Sequence, residues 1–267
     1  MCELLGMSAN VPTDIVFSFT GLMQRGGRTG PHRDGFGIAF YEGPGVRLFH
    51  DPQPSVESEI AKLVQRYPIK SELVIAHIRQ ANVGAVCLAN THPFMRELWG
   101  RHFTFAHNGQ VPDFAPRRRF YEPVGTTDSE ALFCDLLDRL RESFPERAPL
   151  DALLPVLVEA SRVYSHAGVF NCLLGNGEWL YAFASRKLAC ITRRAPFGAA
   201  HLSDADVSVD FQAETTPNDV VSVLATEPLT TNEVWHRFEP GEWRAFVAGE
   251  CVASGRVEVP EPPAPSC

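Results

Sequence analysis

No run in this sequence approaches the roughly 18 apolar residues a membrane-crossing helix needs, and the start has no basic stretch followed by an apolar one. Neither a helical membrane span nor a secretory leader is expected, and the chain reads as a soluble cytoplasmic protein. Lys and Arg never gather into a long block. The densest cluster is Arg117-Arg118-Arg119, which reads as a solvated loop, and the chain carries a formal net charge of −8. Nucleic acid and anionic membrane are therefore not its main partners. The seven cysteines form no C-x-x-C pair and no metal-ligand spacing with histidines. Neither a disulfide framework nor a zinc site is expected, and nothing calls for a metal or organic cofactor.

What is present is a large apolar fraction, 45% of 267 residues, enough for a substantial core. Cys2 to Met7 reads as a short strand, followed by a helix capped by Thr13 or Asp14 and stopped at Gly26-Gly27. Two apolar runs, Gly35 to Tyr41 and Val46 to His50, flank Glu42-Gly43-Pro44-Gly45 and predict a hairpin. Ser55 is expected to cap a helix that turns Ile60, Leu63 and Val64 to one face. Glu72 to Arg79 and His102 to His107 read as buried strands ending in polar residues, where a strand emerges from a sheet and chemistry is placed.

Thr127-Asp128-Ser129-Glu130 has the form of a capping box and opens a helix with Leu132, Phe133, Leu136, Leu137 and Leu140 as its apolar stripe. A second helix spans Leu150 to Tyr164. Strands are then expected at Val169 to Leu174, Trp179 to Ala184, Leu188 to Thr192, Val220 to Ala225 and Trp243 to Val252, with an Asn176-Gly177 turn. Two batches of strands separated by helices, without β-α-β alternation, favour an α+β protein of two or four layers over a doubly wound parallel sheet. With no repeat and no linker, one domain is expected over residues 2–259, followed by a Pro-rich tail over 260–267.

Cys2 follows the initiator Met, and removal of Met1 would leave a thiol beside its own α-amine. That amine, with a pKa near 8, accepts a proton at neutral pH, so one residue supplies nucleophile and base. Asn108-Gly109 follows an apolar strand. It is either a turn joining two strands or a side-chain amide and backbone N–H aimed at one oxyanion. Arg79 ends a strand and Asp128 opens a helix. Each has an ordinary explanation, an ion pair or a helix-dipole contact, but together they suit the α-carboxylate and α-amine of an amino acid. His107 reads as a packed, hydrogen-bonded residue.

Met1-Cys2, His77-Ile78-Arg79, His107-Asn108-Gly109 and Thr127-Asp128-Ser129-Glu130, in this order, resemble the motifs of class II glutamine amidotransferases, of the N-terminal-nucleophile (Ntn) hydrolase fold. The resemblance implies a four-layer αββα sandwich of two mainly antiparallel sheets. It assigns Cys2 as nucleophile, Asn108 and Gly109 as oxyanion hole, and Arg79 and Asp128 as glutamine-binding residues. Arg25-Gly26-Gly27 and His32 to Gly37 resemble the family's Gly-containing segment near the nucleophile, which places Gly26 and Gly35 by the site. Asn90-Thr91-His92-Pro93-Phe94 resembles a stand-alone branch acting on γ-glutamyl compounds, with His92 either lining the pocket or forming a structural turn.

The expected substrate is thus glutamine or a γ-glutamyl small molecule. The amidase and its tail are expected to take up all 267 residues, which leaves ammonia to pass either to a separate synthase subunit or to water. Two other readings keep part of the pattern: an N-terminal-cysteine amidase of a different acyl amide, and a non-catalytic subunit that binds glutamine.

Overall fold

The computed structural model describes residues 2–81, 84–211 and 216–260. Its layering follows from strand alternation. Along β1 (Glu3–Asp14), Leu5 and Met7 pack with Phe19 and Leu22 of α1 (Val16–Arg25), whereas Leu4 packs with Leu173, Leu180 and Ala106. Successive side chains of a strand point to opposite faces, so β1 is covered by a helix on one side and by a second sheet on the other. The same switch occurs on β6 (Arg101–Gln110), where Phe105 packs with Phe133 of α3 (Asp128–Ser143) and Ala106 with Leu4. The result is the four-layer αββα sandwich implied by the family resemblance, one of the two layerings that the strand pattern left open.

The first sheet runs β13 (His236–Arg237), β9 (Ala189–Arg194), β12 (Val220–Ala225), β1, β4 (Lys70–Ile78), β2 (Phe36–Glu42), β3 (Gly45–Asp51). The second runs β15 (Glu250–Arg256), β14 (Glu242–Val247), β8 (Leu180–Ala184), β7 (Val169–Gly175), β6, β5 (Phe94–Leu98). Neighbours pair antiparallel in both, and β10 (Ala199–His201) and β11 (Ser208–Asp210) form a separate antiparallel pair. Helices α1 and α2 (Glu59–Arg66) supply apolar side chains to the core outside the first sheet; α3 and α4 (Leu150–His166) do so outside the second.

Several local expectations are corrected. The first strand does not stop at Met7: past an irregularity after Ser8, Thr13 and Asp14 still pair with Ser71 and Lys70. The helix therefore begins at Val16, whose N–H is met by Asp14 Oδ1 at 2.7 Å. Helix α2 is capped by Ser58, which accepts from Ile60 and Ala61 N–H, while Ser55 is buried and donates to the Met23 carbonyl at 2.8 Å. With the start shifted, Ala61 and Val64 turn inward and Leu63 stays exposed.

Trp243 to Val252 is not one strand but a hairpin, broken at Ala248-Gly249 where both φ angles are positive, 49° and 80°. Strand β5 has no counterpart among the expected strands. The capping box is half formed: Thr127 accepts from Glu130 N–H, but the Glu130 carboxylate accepts from Gly125 N–H and pairs with Arg96 instead of returning to Thr127. Except for Pro260, the Pro-rich tail lies outside the described residues. Among the described residues no helix is long and apolar enough to cross a membrane.

Candidate active site

The antiparallel register of β1 and β4 pairs Glu3 with Ile78, so the next residues outward, Cys2 and Arg79, meet at the sheet end. There the Cys2 thiol lies 3.4 Å from the Gln80 N–H and 3.5 Å from the Gln80 carbonyl. Burial pushes the thiol pKa up, and the Gln80 hydrogen bond and the Arg79 guanidinium pull it down. The Gln80 segment is itself tied down. Arg79 N–H donates to the Gly35 carbonyl at 2.8 Å, and Ala81 N–H donates to Asp34 Oδ2 at 2.7 Å.

The Arg79 side chain is buried, and its guanidinium donates to the carbonyls of Ala85 at 2.9 Å and Gly84 at 3.3 Å. Such contacts fix the plane of the fork, which matters for a group that binds carboxylates bidentately. Opposite in charge, Asp128 is the first residue of α3. Its Oδ2 accepts from Val111 N–H and its Oδ1 from Ser129 N–H, both at 2.8 Å.

On β6, alternation sends His107 outward and Asn108 into the space between the sheets. His107 is packed as the sequence suggests. Its ring stacks on Phe170, Nδ1 lies 2.8 Å from Ser129 Oγ and Nε2 3.1 Å from the Val169 carbonyl. Burial holds its pKa below the usual range, and Asp128 draws it back up. Gly109 is required by sheet pairing: a Cβ there would sit 1.8 Å from the Val169 carbonyl oxygen.

These groups converge on an open cleft of about 200 Å³, small against the roughly 300–1,000 Å³ of drug-sized sites and suited to one amino acid. Cys2, Arg79, His92, Gly109 and Asp128 stand on its wall together. Asn108 is fully buried behind that wall. Gly35 acts through its carbonyl, which holds Arg79, and Gly26 packs against Ser55 and Ile78; neither lines the cleft. His92 is 3% exposed and stacks on His77 at 4.1 Å, and neither of its ring nitrogens has a partner among the described residues. Burial holds both of these rings in the neutral form.

Sequence reading did not find Gln110 or Arg186 on the wall. Arg186 lies just past the end of β8, and the rule that polar residues at strand ends carry chemistry would have found it. A buried ion network beside Cys2 is likewise unmarked in the sequence. Arg25 donates to Glu3 at 2.9 Å, to Asp204 at 2.8 Å and to the carbonyls of Glu227 and Pro228.

Comparison with known proteins bears on this arrangement. The profile of the family described as glutamine amidotransferases class-II matches residues 1–266. YafJ of Escherichia coli (strain K12), named a candidate glutamine amidotransferase, is 59% identical over 255 residues, covering 94% of this chain and 100% of that protein. A crystal structure of a candidate glutamine amidotransferase from Pseudomonas aeruginosa PA01 superposes with a TM-score of 0.78 at 66% identity, over 94% of this chain and 100% of that one. The B. subtilis glutamine phosphoribosylpyrophosphate amidotransferase shares the fold, with a TM-score of 0.59 at 15% identity, over 96% of this chain and 49% of that one.

Proposed function

The chain belongs to the class II glutamine amidotransferases, and from that premise we propose that it cleaves the side-chain amide of glutamine, or of another γ-glutamyl compound, through a thioester on Cys2. The observation that carries this reading is the meeting of Cys2, Arg79, Gly109 and Asp128 on one amino-acid-sized cleft. Arg79 takes the α-carboxylate and Asp128 the α-ammonium, which positions the γ-amide carbonyl at the Cys2 sulfur. His92, buried on the same wall with ring nitrogens that have no partner among the described residues, supplies a further polar contact to the bound molecule. Gly26 and Gly35 support the site from behind the wall.

With Met1 removed, the Cys2 α-amine accepts the thiol proton as sulfur attacks the carbonyl carbon. Asn108 and the Gly109 backbone hold the negative charge that develops on oxygen. The amine returns the proton to the leaving nitrogen, the C–N bond breaks, and ammonia or an amine departs. Water then attacks the γ-glutamyl thioester and releases glutamate. The catalytic unit is a single domain over residues 2–259. Ammonia goes to water or to a separate synthase subunit.

The test is intact mass before and after exposure to 6-diazo-5-oxo-L-norleucine, which alkylates an activated nucleophile in a glutamine site. Loss of Met1 and one adduct mapped to Cys2 are expected, with no adduct in Cys2→Ala. A free Cys2 that takes no adduct would overturn the assignment of glutamine as ligand.

A further inference from the structure

Asn108 and Thr226 present two unmet hydrogen-bonding groups side by side among the described residues. Thr226 follows the end of β12 and is locked to β1: its N–H donates to the Leu4 carbonyl at 3.2 Å, and its Oγ accepts from Leu4 N–H at 2.8 Å. The Asn108 amide lies against the same hydroxyl, with Nδ2 at 3.4 Å from Thr226 Oγ. Drawn this way, Thr226 Oγ receives two donors and its own hydrogen has no acceptor among the described residues. Asn108 Oδ1, fully buried, has no donor among them either. Buried polar groups are almost always paired, so both vacancies need one account.

The nitrogen and oxygen of a side-chain amide are told apart only by such networks. Exchanging them removes both vacancies next to Thr226, because Thr226 O–H then donates to Asn108 Oδ1 while Oγ still accepts from Leu4. The amide NH₂ turns away from Thr226. The backbone of Asn108 is held independently, its carbonyl accepting from Asn171 Nδ2 at 2.7 Å, so the side-chain torsion is what remains to be set. Leu4 and Cys2 share one face of β1, about 7 Å apart at the strand rise, and Asn108 faces them from the opposite sheet. We propose that Thr226 is a positioning residue that fixes the Asn108 amide with its N–H donors presented to the oxyanion formed at Cys2.

This inference rests on Asn108 being the oxyanion donor, and the experiment separates the two. Glutamine hydrolysis is measured for Thr226→Val, Thr226→Ser, Asn108→Ala and the Thr226→Val/Asn108→Ala pair, with kcat and KM read separately; where turnover is slow, the rate of Cys2 modification by 6-diazo-5-oxo-L-norleucine replaces kcat. Loss of a single orienting hydrogen bond is expected to lower kcat about tenfold in Thr226→Val with KM within about twofold, and Thr226→Ser to restore kcat to within about threefold. In the Asn108→Ala background, Thr226→Val should change kcat little, because the group it orients is gone. Unaltered kcat in Thr226→Val, or losses that multiply in the double variant, would overturn the inference. Full turnover in Asn108→Ala alone would overturn the oxyanion assignment beneath it. If Thr226→Val does not fold, Thr226→Cys, with its weaker donor, takes its place and should fall between Ser and Val.

Discussion

The Asn90 side chain grips Thr126 twice: Oδ1 accepts from Thr126 N–H at 2.8 Å and Nδ2 lies 3.2 Å from Thr126 Oγ. The same Nδ2 donates at 3.0 Å to the Ala85 carbonyl, which also receives the Arg79 guanidinium. Asn90 therefore ties the segment that holds Arg79 to the segment that leads into Asp128, the two proposed ends of the substrate grip. Asn90→Ala is expected to raise KM for glutamine about tenfold, with a smaller change in kcat, since the grip loosens while Cys2 and its surroundings stay. Steady-state kinetics on glutamine check this. A fall in kcat at constant KM would mean that Asn90 acts on the chemistry and not on binding.

Arg25 sits in the buried network beside Cys2, with side-chain exposures of 10% for itself, 12% for Glu3 and 14% for Asp204. Removing one partner of a buried ion pair leaves charge without compensation, which costs about 3–5 kcal/mol. Arg25→Ala is expected to lose stability on that scale in urea unfolding. The surface pair Arg33–Glu57, 55% exposed on both sides, is the control, and Arg33→Ala should cost at most about 1 kcal/mol.

Much of this site is legible in the amino-acid sequence, and the reason is specific. Glu72 to Arg79 and His102 to His107 are buried strands, so each reads as an apolar run broken abruptly by polar residues at the sheet end, and Arg79 and His107 line the candidate cleft. Their meeting follows from motif order, whereas the partners of Arg79 and Asn108 are not legible at all. Thr226 meets Asn108 from 118 positions away and Arg25 meets Asp204 from 179, and nothing in their local sequence marks them. The end of β1 is misplaced by sequence because pairing with β4 resumes after an irregularity, and the start of α2 because Ser55 and Ser58 are equally good caps. Tertiary contacts choose between them.

The clearance at Gly109 gives a sharp steric expectation. A methyl group there would lie 1.8 Å from the Val169 carbonyl oxygen, a backbone atom that cannot move without opening the β6–β7 pairing. Gly109→Ala should destabilise the fold by about 3 kcal/mol or more by thermal unfolding. Gly198→Ala, where an added Cβ meets nothing within 4 Å, should stay within about 0.5 kcal/mol.

The stacked histidines make stability depend on pH in a direction that can be worked out. Burial lowers the His77 pKa from 6.5 to about 3. In the folded protein the ring therefore stays neutral across the mildly acid range, while in the unfolded chain it takes up a proton below about 6.5. The unfolded state binds more protons there, so stability is unaffected above about pH 6.5, falls as pH drops below it, and stops falling through this group only near pH 3. Between about pH 7.5 and 5.5 His77 alone should cost about 1.4 kcal/mol, one unit of pKa difference expressed as free energy. His92 and His107 are shifted the same way and steepen the slope. Urea unfolding of the wild type and of His77→Phe at the two pH values measures the His77 share. The variant loses a contact to the His107 carbonyl, 3.2 Å from His77 Nε2, which moves both values together, but its loss between the two pH values should be smaller than the wild type's by about 1.4 kcal/mol. Equal losses would show that His77 is already protonated in the folded protein at about pH 5.5.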